Sequence, residues 1–374
     1  MMRSSDHFQL LLSIALAMIL ISGCASRGAK RLPRDRFDYS AALGSSAREQ
    51  MLLNIVRSRY QEMPVFLEVG SVVAQYSYNS ALSLGYFREF INNPIAPTSD
   101  TASADANFAY SEFPTITYQP IQGERFARHL YSQVPYELFL AAVNSGWSID
   151  LMMLIGVERF GSAENMTFGE VRSKEQRASD LDNLERFARA IELLFLLADA
   201  KLIEVNRVIG DEKNGTETEH YLVIARVVPE DLRPLVTELR QLIGIRSGNR
   251  FKITTRTTDL GADEISIQTR SVMAMMKFMA RGVQIPAEHL EGGWVIDYGL
   301  QTLEGKGRLF PFRVHSSRAR PHNAFAAVRY QDYWYSIDQA DIVSKRSLEH
   351  LMIFFQLKAP VSRGSAPLLT LPTR

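Results

Sequence analysis

Few residues in this chain are spaced for chemistry. His315 and His322 bracket the polar run Ser316-Ser317-Arg318-Ala319-Arg320-Pro321, and Asp338 and Asp341 follow. A serine hydroxyl, an imidazole base and an orienting carboxylate are the parts of an activated nucleophile. The same residues also suit a basic loop between two strands, since the three types lie this close in many chains. Arg313, Arg318, Arg320 and Arg329 make the region mildly basic, a face for an acidic partner or a glycan. Asp341 and Lys345 stand four apart where a last helix should start, which dipole and capping preferences explain without chemistry. The chain holds no GxSxG, HExxH, Walker loop or GxGxxG, and the acids of DEKNG and DLDN lack calcium-loop spacing. Sequence alone therefore assigns no catalytic residue, no metal ligand and no cofactor beyond a covalent lipid.

That lipid is expected on Cys24, the single cysteine of the chain. One cysteine excludes a disulfide framework, a CxxC redox motif and a cysteine-rich zinc site. Residues 8–23 are mostly apolar, too short for a permanent span and long enough for the core of a signal peptide. The run ends in Ile21-Ser22-Gly23-Cys24, with small residues that admit a peptidase and a thiol that can carry lipid. This pattern resembles the lipobox of bacterial lipoproteins. The resemblance implies cleavage after Gly23, acylation of Cys24 and, with Ala25 rather than Asp next, retention in the outer membrane of a Gram-negative cell. Residues 24–37 follow as an expected flexible tether.

The composition suits a folded body. Of 374 residues 46% are hydrophobic, and 42 basic residues balance 41 acidic ones, which removes the basic excess that nucleic-acid binding needs. Hydrophobic spacing predicts a helix from a capping box at Ser46 to Tyr60, and helices over 135–144, 148–159 and 184–198. It also predicts a hairpin around GDEKNGTETE, a methionine-rich helix at 271–283, strands over 293–299, 308–315 and 324–337, and a last helix over 345–357. The fold class is α+β, with mixed helices, largely antiparallel sheets and one long β-hairpin. The expected divisions are a signal peptide over 1–23, the tether over 24–37, and segments 38–160, 161–246 and 247–374.

The long hairpin, 72–118, is the most unusual feature. Even positions carry Val72, Tyr76, Tyr78, Leu82, Leu84 and Tyr86, while Gln75, Ser77, Asn79 and Ser83 fall between them. Phe108, Tyr110 and Tyr118 resume one parity beyond a polar stretch over 88–106. Such alternation fits a half-wet sheet under the first helix. It also fits a membrane-inserting hairpin in which Tyr76, Tyr78, Leu82, Leu84, Tyr86 and Tyr110 face lipid. A lone hairpin cannot span, because its edges would stay unpaired in hydrocarbon, so this second reading requires a ring of copies.

The strings EQMLLNIVRSRY, PTITYQPIQGERFARHL and WYSIDQADIVSKRSLEHL resemble a widespread set of uncharacterised envelope proteins of Gram-negative bacteria. That resemblance implies no activity. The expected function is a non-enzymatic structural, assembly or export-complex component, anchored to the outer membrane by lipid with its body in the periplasm. Its partners would be envelope proteins or further copies of itself, and not nucleic acid. An oligomeric pore using the hairpin and a periplasmic hydrolase using 315–341 stand as alternatives.

Overall fold

A computed structural model describes residues 27–73, 76–88, 100–112, 115–144, 147, 149–166, 174–210, 218–297 and 310–358. Cys24 and the signal segment lie outside them. The chain is α+β, with largely antiparallel sheets. It divides into two compact units, one of Met1–Pro64 with Ala127–Arg374, the other of Val65–Phe126.

The larger unit begins with helix α1, Arg27–Arg59. The expected start at Ser46 is corrected: Ser46 sits mid-helix, and residues 27–37, read as tether, are helical. Ala29, Lys30, Arg31, Leu32, Arg34 and Arg36 favour helix enough to outweigh the single backbone bond lost at Pro33. Near its C-terminal end Leu52, Ile55 and Val56 are fully buried. They pack toward helix α7 (Val272–Ala280) and strand β12 (Ala324–Tyr330). Ser271 caps α7, its hydroxyl accepting from the Ala274 amide at 3.1 Å. Met273, Met275, Met276 and Met279 are all core residues. The soft thioethers fill this interior.

Six strands form the main sheet in the order β6-β5-β10-β9-β8-β7. They are β5 (Val157–Phe160), β6 (Ala163–Glu164), β7 (Ile203–Val208), β8 (Glu219–Ile224), β9 (Arg250–Thr254) and β10 (Glu264–Thr269). Neighbours are antiparallel except β9 and β10, which run parallel. Alternate residues Leu222, Ile224, Phe251, Ile253, Ile265 and Ile267 are buried. Helix α5 (Lys174–Asp199) buries Leu184, Phe187, Ile191 and Leu194, whereas Phe195 and Ala198, expected on the same face, are exposed. The expected helix over 148–159 stops sooner. Helix α4 is Ile149–Gly156, and Val157–Phe160 then joins β10 as a strand, with Val157 and Phe160 buried and Glu158 and Arg159 half-buried.

A second sheet has the order β11-β13-β12, with β11 His315–Ser317 and β13 Tyr333–Asp338. The strand expected over 308–315 is thus reduced to β11 and a bridge of Val314 to Val283. That bridge runs beside Gly282, where a Cβ would stand 1.9 Å from the Phe312 carbonyl oxygen, so only glycine fits. No strand forms over the described part of 293–299. Short helix α8 (Ala287–Glu291) ends just before it. The last helix, α9 (Ile342–Lys358), is capped by Asp341, whose carboxylate accepts from the Ser344 amide at 3.0 Å and hydroxyl at 2.6 Å. Helices α2 (Glu124–Tyr131), α3 (Tyr136–Asn144) and α6 (Arg233–Ile243) complete the set.

Arg270, at the end of β10, is 1% exposed. Its guanidinium donates to the carbonyls of Leu154 at 3.1 Å, Ile155 at 3.0 Å and Met166 at 2.6 Å. The first two belong to the last turn of α4, whose carbonyls lack helical partners. The ring of Phe278 lies 4.3 Å from the cation. Replacing Arg270 by Met should cost the fold about 3 kcal/mol or more, since buried carbonyls left unpaired each cost about 1–3 kcal/mol. Urea unfolding followed by circular dichroism would show it. An unchanged midpoint in Arg270→Met would mean that these bonds stabilise little.

Candidate functional site

The smaller unit is built from four strands. Strand β1 (Leu67–Val73) pairs antiparallel with β4 (Thr115–Pro120), with a register shift between Val69 and Ser71. Strand β2 (Tyr76–Arg88) pairs with β3 (Asp100–Glu112) through thirteen opposed residues. The two ladders keep one register, Val73 opposite Thr115 and Tyr76 opposite Glu112, as in the single long hairpin expected over 72–118; residues 74–75 and 113–114 between them lie outside the described residues. The polar stretch over 88–106, expected as a loop, is corrected, because β3 begins at Asp100 and takes in all of the run TASADAN. Small alternating Ala, Ser and Thr residues continue the period of two there, which outweighs their low apolar content.

The register decides how the ribbon is patterned. Tyr76, Tyr78, Ser80, Leu82, Leu84 and Tyr86 stand opposite Glu112, Tyr110, Phe108, Ala106, Ala104 and Ala102. The odd positions pair Ser77 with Ser111, Asn79 with Ala109, Ala81 with Asn107, Ser83 with Asp105 and Gly85 with Ser103. The tyrosines, the leucines and Phe108 share one parity, and the other is polar or small except for Phe87, which stands opposite Thr101. The aromatic residues come at both ends of the apolar parity, with Leu and Ala between. Arg88 and Asp100 stand opposite each other two residues beyond Tyr86 at one end, and Glu112 stands opposite Tyr76, level with the aromatic end, at the other. From Tyr76 to Tyr86 the strand rises about 34 Å, at about 3.4 Å per residue. Tilted by about 45°, this gives a height of about 24 Å. Among the described residues neither β2 nor β3 pairs with a third strand.

The residues singled out for chemistry lie in the larger unit, near the second sheet. Ser317 donates its hydroxyl to the Ala319 carbonyl at 2.7 Å, and the Ser316 amide donates to Gln284 at 3.2 Å. Asp338 accepts from the Ala340 amide, while Asp341 caps α9. The Ser317, Asp338 and Asp341 bonds thus serve turns and a cap, and the Ser316 amide ties β11 to Gln284. Arg318 donates to Glu288 at 2.9 Å and to the Tyr333 hydroxyl at 3.1 Å. Arg320 lies 5.2 Å from the centre of the Trp334 ring. Arg313 is exposed just before β11, and its backbone amide donates to Ser344. Arg329 pairs with Asp332. The basic face is therefore partly neutralised within the chain. Among the described residues no group of three or more His, Cys, Asp or Glu side chains is placed to hold a metal ion.

Sequence reasoning missed a buried aromatic clasp. The Tyr60 hydroxyl lies 2.6 Å from His289 Nδ1 and 2.5 Å from the Tyr335 hydroxyl. Trp294 stacks on the His289 ring at 4.3 Å, and Tyr333 meets it edge-on at 5.3 Å. Tyr330 donates to Glu62 at 2.5 Å. Burial pushes the His289 imidazole below its ordinary range and the Tyr60 and Tyr335 hydroxyls above theirs. At neutral pH the imidazole is therefore uncharged. A neutral imidazole and two hydroxyls can each donate or accept, so Tyr60 bonds to both Nδ1 and the Tyr335 hydroxyl without a buried charge. His289 is only 2% exposed, so the assembly holds elements together and offers no open base. Its signal in the sequence was the polar tail of EQMLLNIVRSRY beside WYSIDQAD, two strings whose Tyr60 and Tyr335 meet here.

No family model, curated protein or solved structure matches the chain.

The buried histidines make the body sensitive to acid. Burial pushes His350, which packs on Trp147 at 5.0 Å, down to about 4, with Arg346 adding to the fall and Asp150 opposing it. His129 and His289 are pulled the same way, chiefly by burial. Below pH 6.5 the unfolded chain takes up protons that the folded one refuses, so stability drops as pH falls toward 4. His350 alone should account for about 3 kcal/mol over that window. Unfolding midpoints at pH 7, 5.5 and 4 should show this fall, and His350→Gln should flatten it. An equal slope in that variant would assign the sensitivity elsewhere.

Proposed function

We propose that this chain is an outer-membrane-anchored lipoprotein of the Gram-negative envelope, non-enzymatic, that serves as a structural or export component by forming an oligomeric pore. The observation that carries this reading is the β2–β3 register. It gathers most of the apolar residues of both strands on one parity over about 24 Å, with aromatic residues at both ends and charged residues at or beyond those ends. An outer-membrane strand needs that arrangement, with an apolar band about 25 Å tall between aromatic girdles. Two strands make a ribbon that is marginal in water and open at both edges. Several copies, each donating one ribbon, would close the edges into a barrel. The lipobox at Cys24 supports the same site of action, because an acylated cysteine holds the chain at the membrane the ribbon would enter. Among the described residues no helix is long and apolar enough to cross a membrane, so spanning would fall to the ribbon.

The hydrolase reading of 315–341 gains no support from the bonding there, which runs to backbone and to helix caps. An adaptor that lends its ribbon edge to another protein's sheet is the remaining reading, supported by the same open edges.

Two measurements test the proposal. Cys24→Ala should move the protein from the membrane fraction to the soluble fraction, as shown by immunoblotting after fractionation. The acylated protein extracted in mild detergent should have the mass of a discrete ring of several copies, corrected for bound detergent. Leu82→Arg should abolish that ring, since a cation facing lipid near mid-bilayer costs about 2–4 kcal/mol per copy. A monomer or dimer in detergent would remove the shared barrel.

A further inference from the structure

The ladder holds four charged residues, Arg88, Asp100, Asp105 and Glu112. Three are at its ends. Arg88 and Asp100 face each other in the register at one end, and Glu112 closes the other. Asp105 alone falls within the stretch between the aromatic ends. It stands opposite Ser83, on the parity of Asn79, Asn107 and Ser103 and not on that of Leu82 and Leu84.

We infer that the proposed barrel passes cations in preference to anions, and that the carboxylate at position 105 sets the preference. This rests on the pore reading above. The parity follows from cost. With the odd positions toward water, the apolar parity faces lipid and the carboxylate keeps its hydration. With the faces exchanged, every copy would carry a carboxylate into hydrocarbon and a row of Tyr and Leu into water, a double penalty. The remaining odd positions within the band are hydroxyl, amide or small residues, so nothing there offsets the charge. Symmetry then places one carboxylate from each copy at a single height, a ring inside walls of low dielectric constant. Such a ring draws cations into the passage and repels anions, as acidic rings do in cation channels.

The test uses the full-length acylated oligomer in planar lipid bilayers, with a tenfold potassium chloride gradient. The reversal potential gives the cation-to-anion permeability ratio. The wild-type ratio should exceed one by at least threefold. Asp105→Asn should bring it close to one while the detergent mass of the ring stays unchanged, and Asp105→Lys should invert it. Ser83→Lys places an ammonium across from the carboxylate and should also bring the ratio close to one, so the property is still read if the Asn variant does not assemble. A conducting ring with a wild-type ratio at or below one, or an unchanged ratio in both Asp105→Asn and Ser83→Lys, would overturn the inference and leave the pore standing. A ring of the expected mass that conducts nothing would overturn the pore reading and this inference together.

Discussion

The larger unit depends on one buried cation. Arg270 loses nearly all its hydration, and burial brings its guanidinium down to about 9, still protonated at neutral pH. A cation so placed would normally be costly. Three carbonyl oxygens and the Phe278 ring offset that cost, and two of the oxygens end a helix whose dipole is negative there. The arrangement also determines chain paths. The Arg270 amide donates to the Gly156 carbonyl, its own carbonyl accepts from Val134, and Thr269 donates to the Val134 carbonyl at 2.5 Å. Asn165 joins from the other side, donating to Leu154 and Val157. The end of α4, the start of β5, the turn before α3 and the start of α7 are thus tied at one point. Gly156 lies inside this knot, where a Cβ would come 2.2 Å from the Phe139 ring, so the packing there has no slack.

A second joint holds the first helix. Helix α1 begins at Arg27, with only Ala25 and Ser26 between it and Cys24 in the chain. Its far end is held by the Tyr60 clasp to α8 and β13, and by Arg59, which donates to the Ile296 carbonyl at 2.7 Å. A helix extends by about 1.5 Å per residue, so α1 is a strut of about 50 Å and not a slack tether. Force or position at the lipid would be transmitted to the body through hydrogen bonds among neutral aromatic groups, which salt does not screen as it does surface charges.

The sequence was legible where periodicity was strong and local. The methionine-rich helix, the Asp341 cap and the pair β7–β8 all follow from spacing that needs no distant partner. It was less legible where tertiary context decides. Nothing local marks Val157–Phe160 as a strand; its pairing with β10 makes it one. The parallel neighbours β9 and β10 could not be told from an antiparallel pair, since burial alternates the same way in both. Tyr60, His289 and Tyr335 lie too far apart in sequence for any spacing rule to join them. In the ribbon, alternation was plain in β2, but low apolar content hid the start of β3, and only the register shows that both apolar sets share a parity.

That parity limits how the ribbon can work. A ribbon of two strands has two open edges, and each copy adds two strands to any closed sheet. The smallest closed barrels have about eight strands, which would take about four copies, and their interiors are filled by side chains. A water-filled passage needs about sixteen strands, hence about eight copies. The odd positions of the ribbon are small or polar, with Gly85, Ala81, Ser83 and Ala109 among them. Small residues fill an eight-stranded interior poorly and line a wide one well. On the proposed pore, the residue sizes on the polar parity therefore argue for the larger ring.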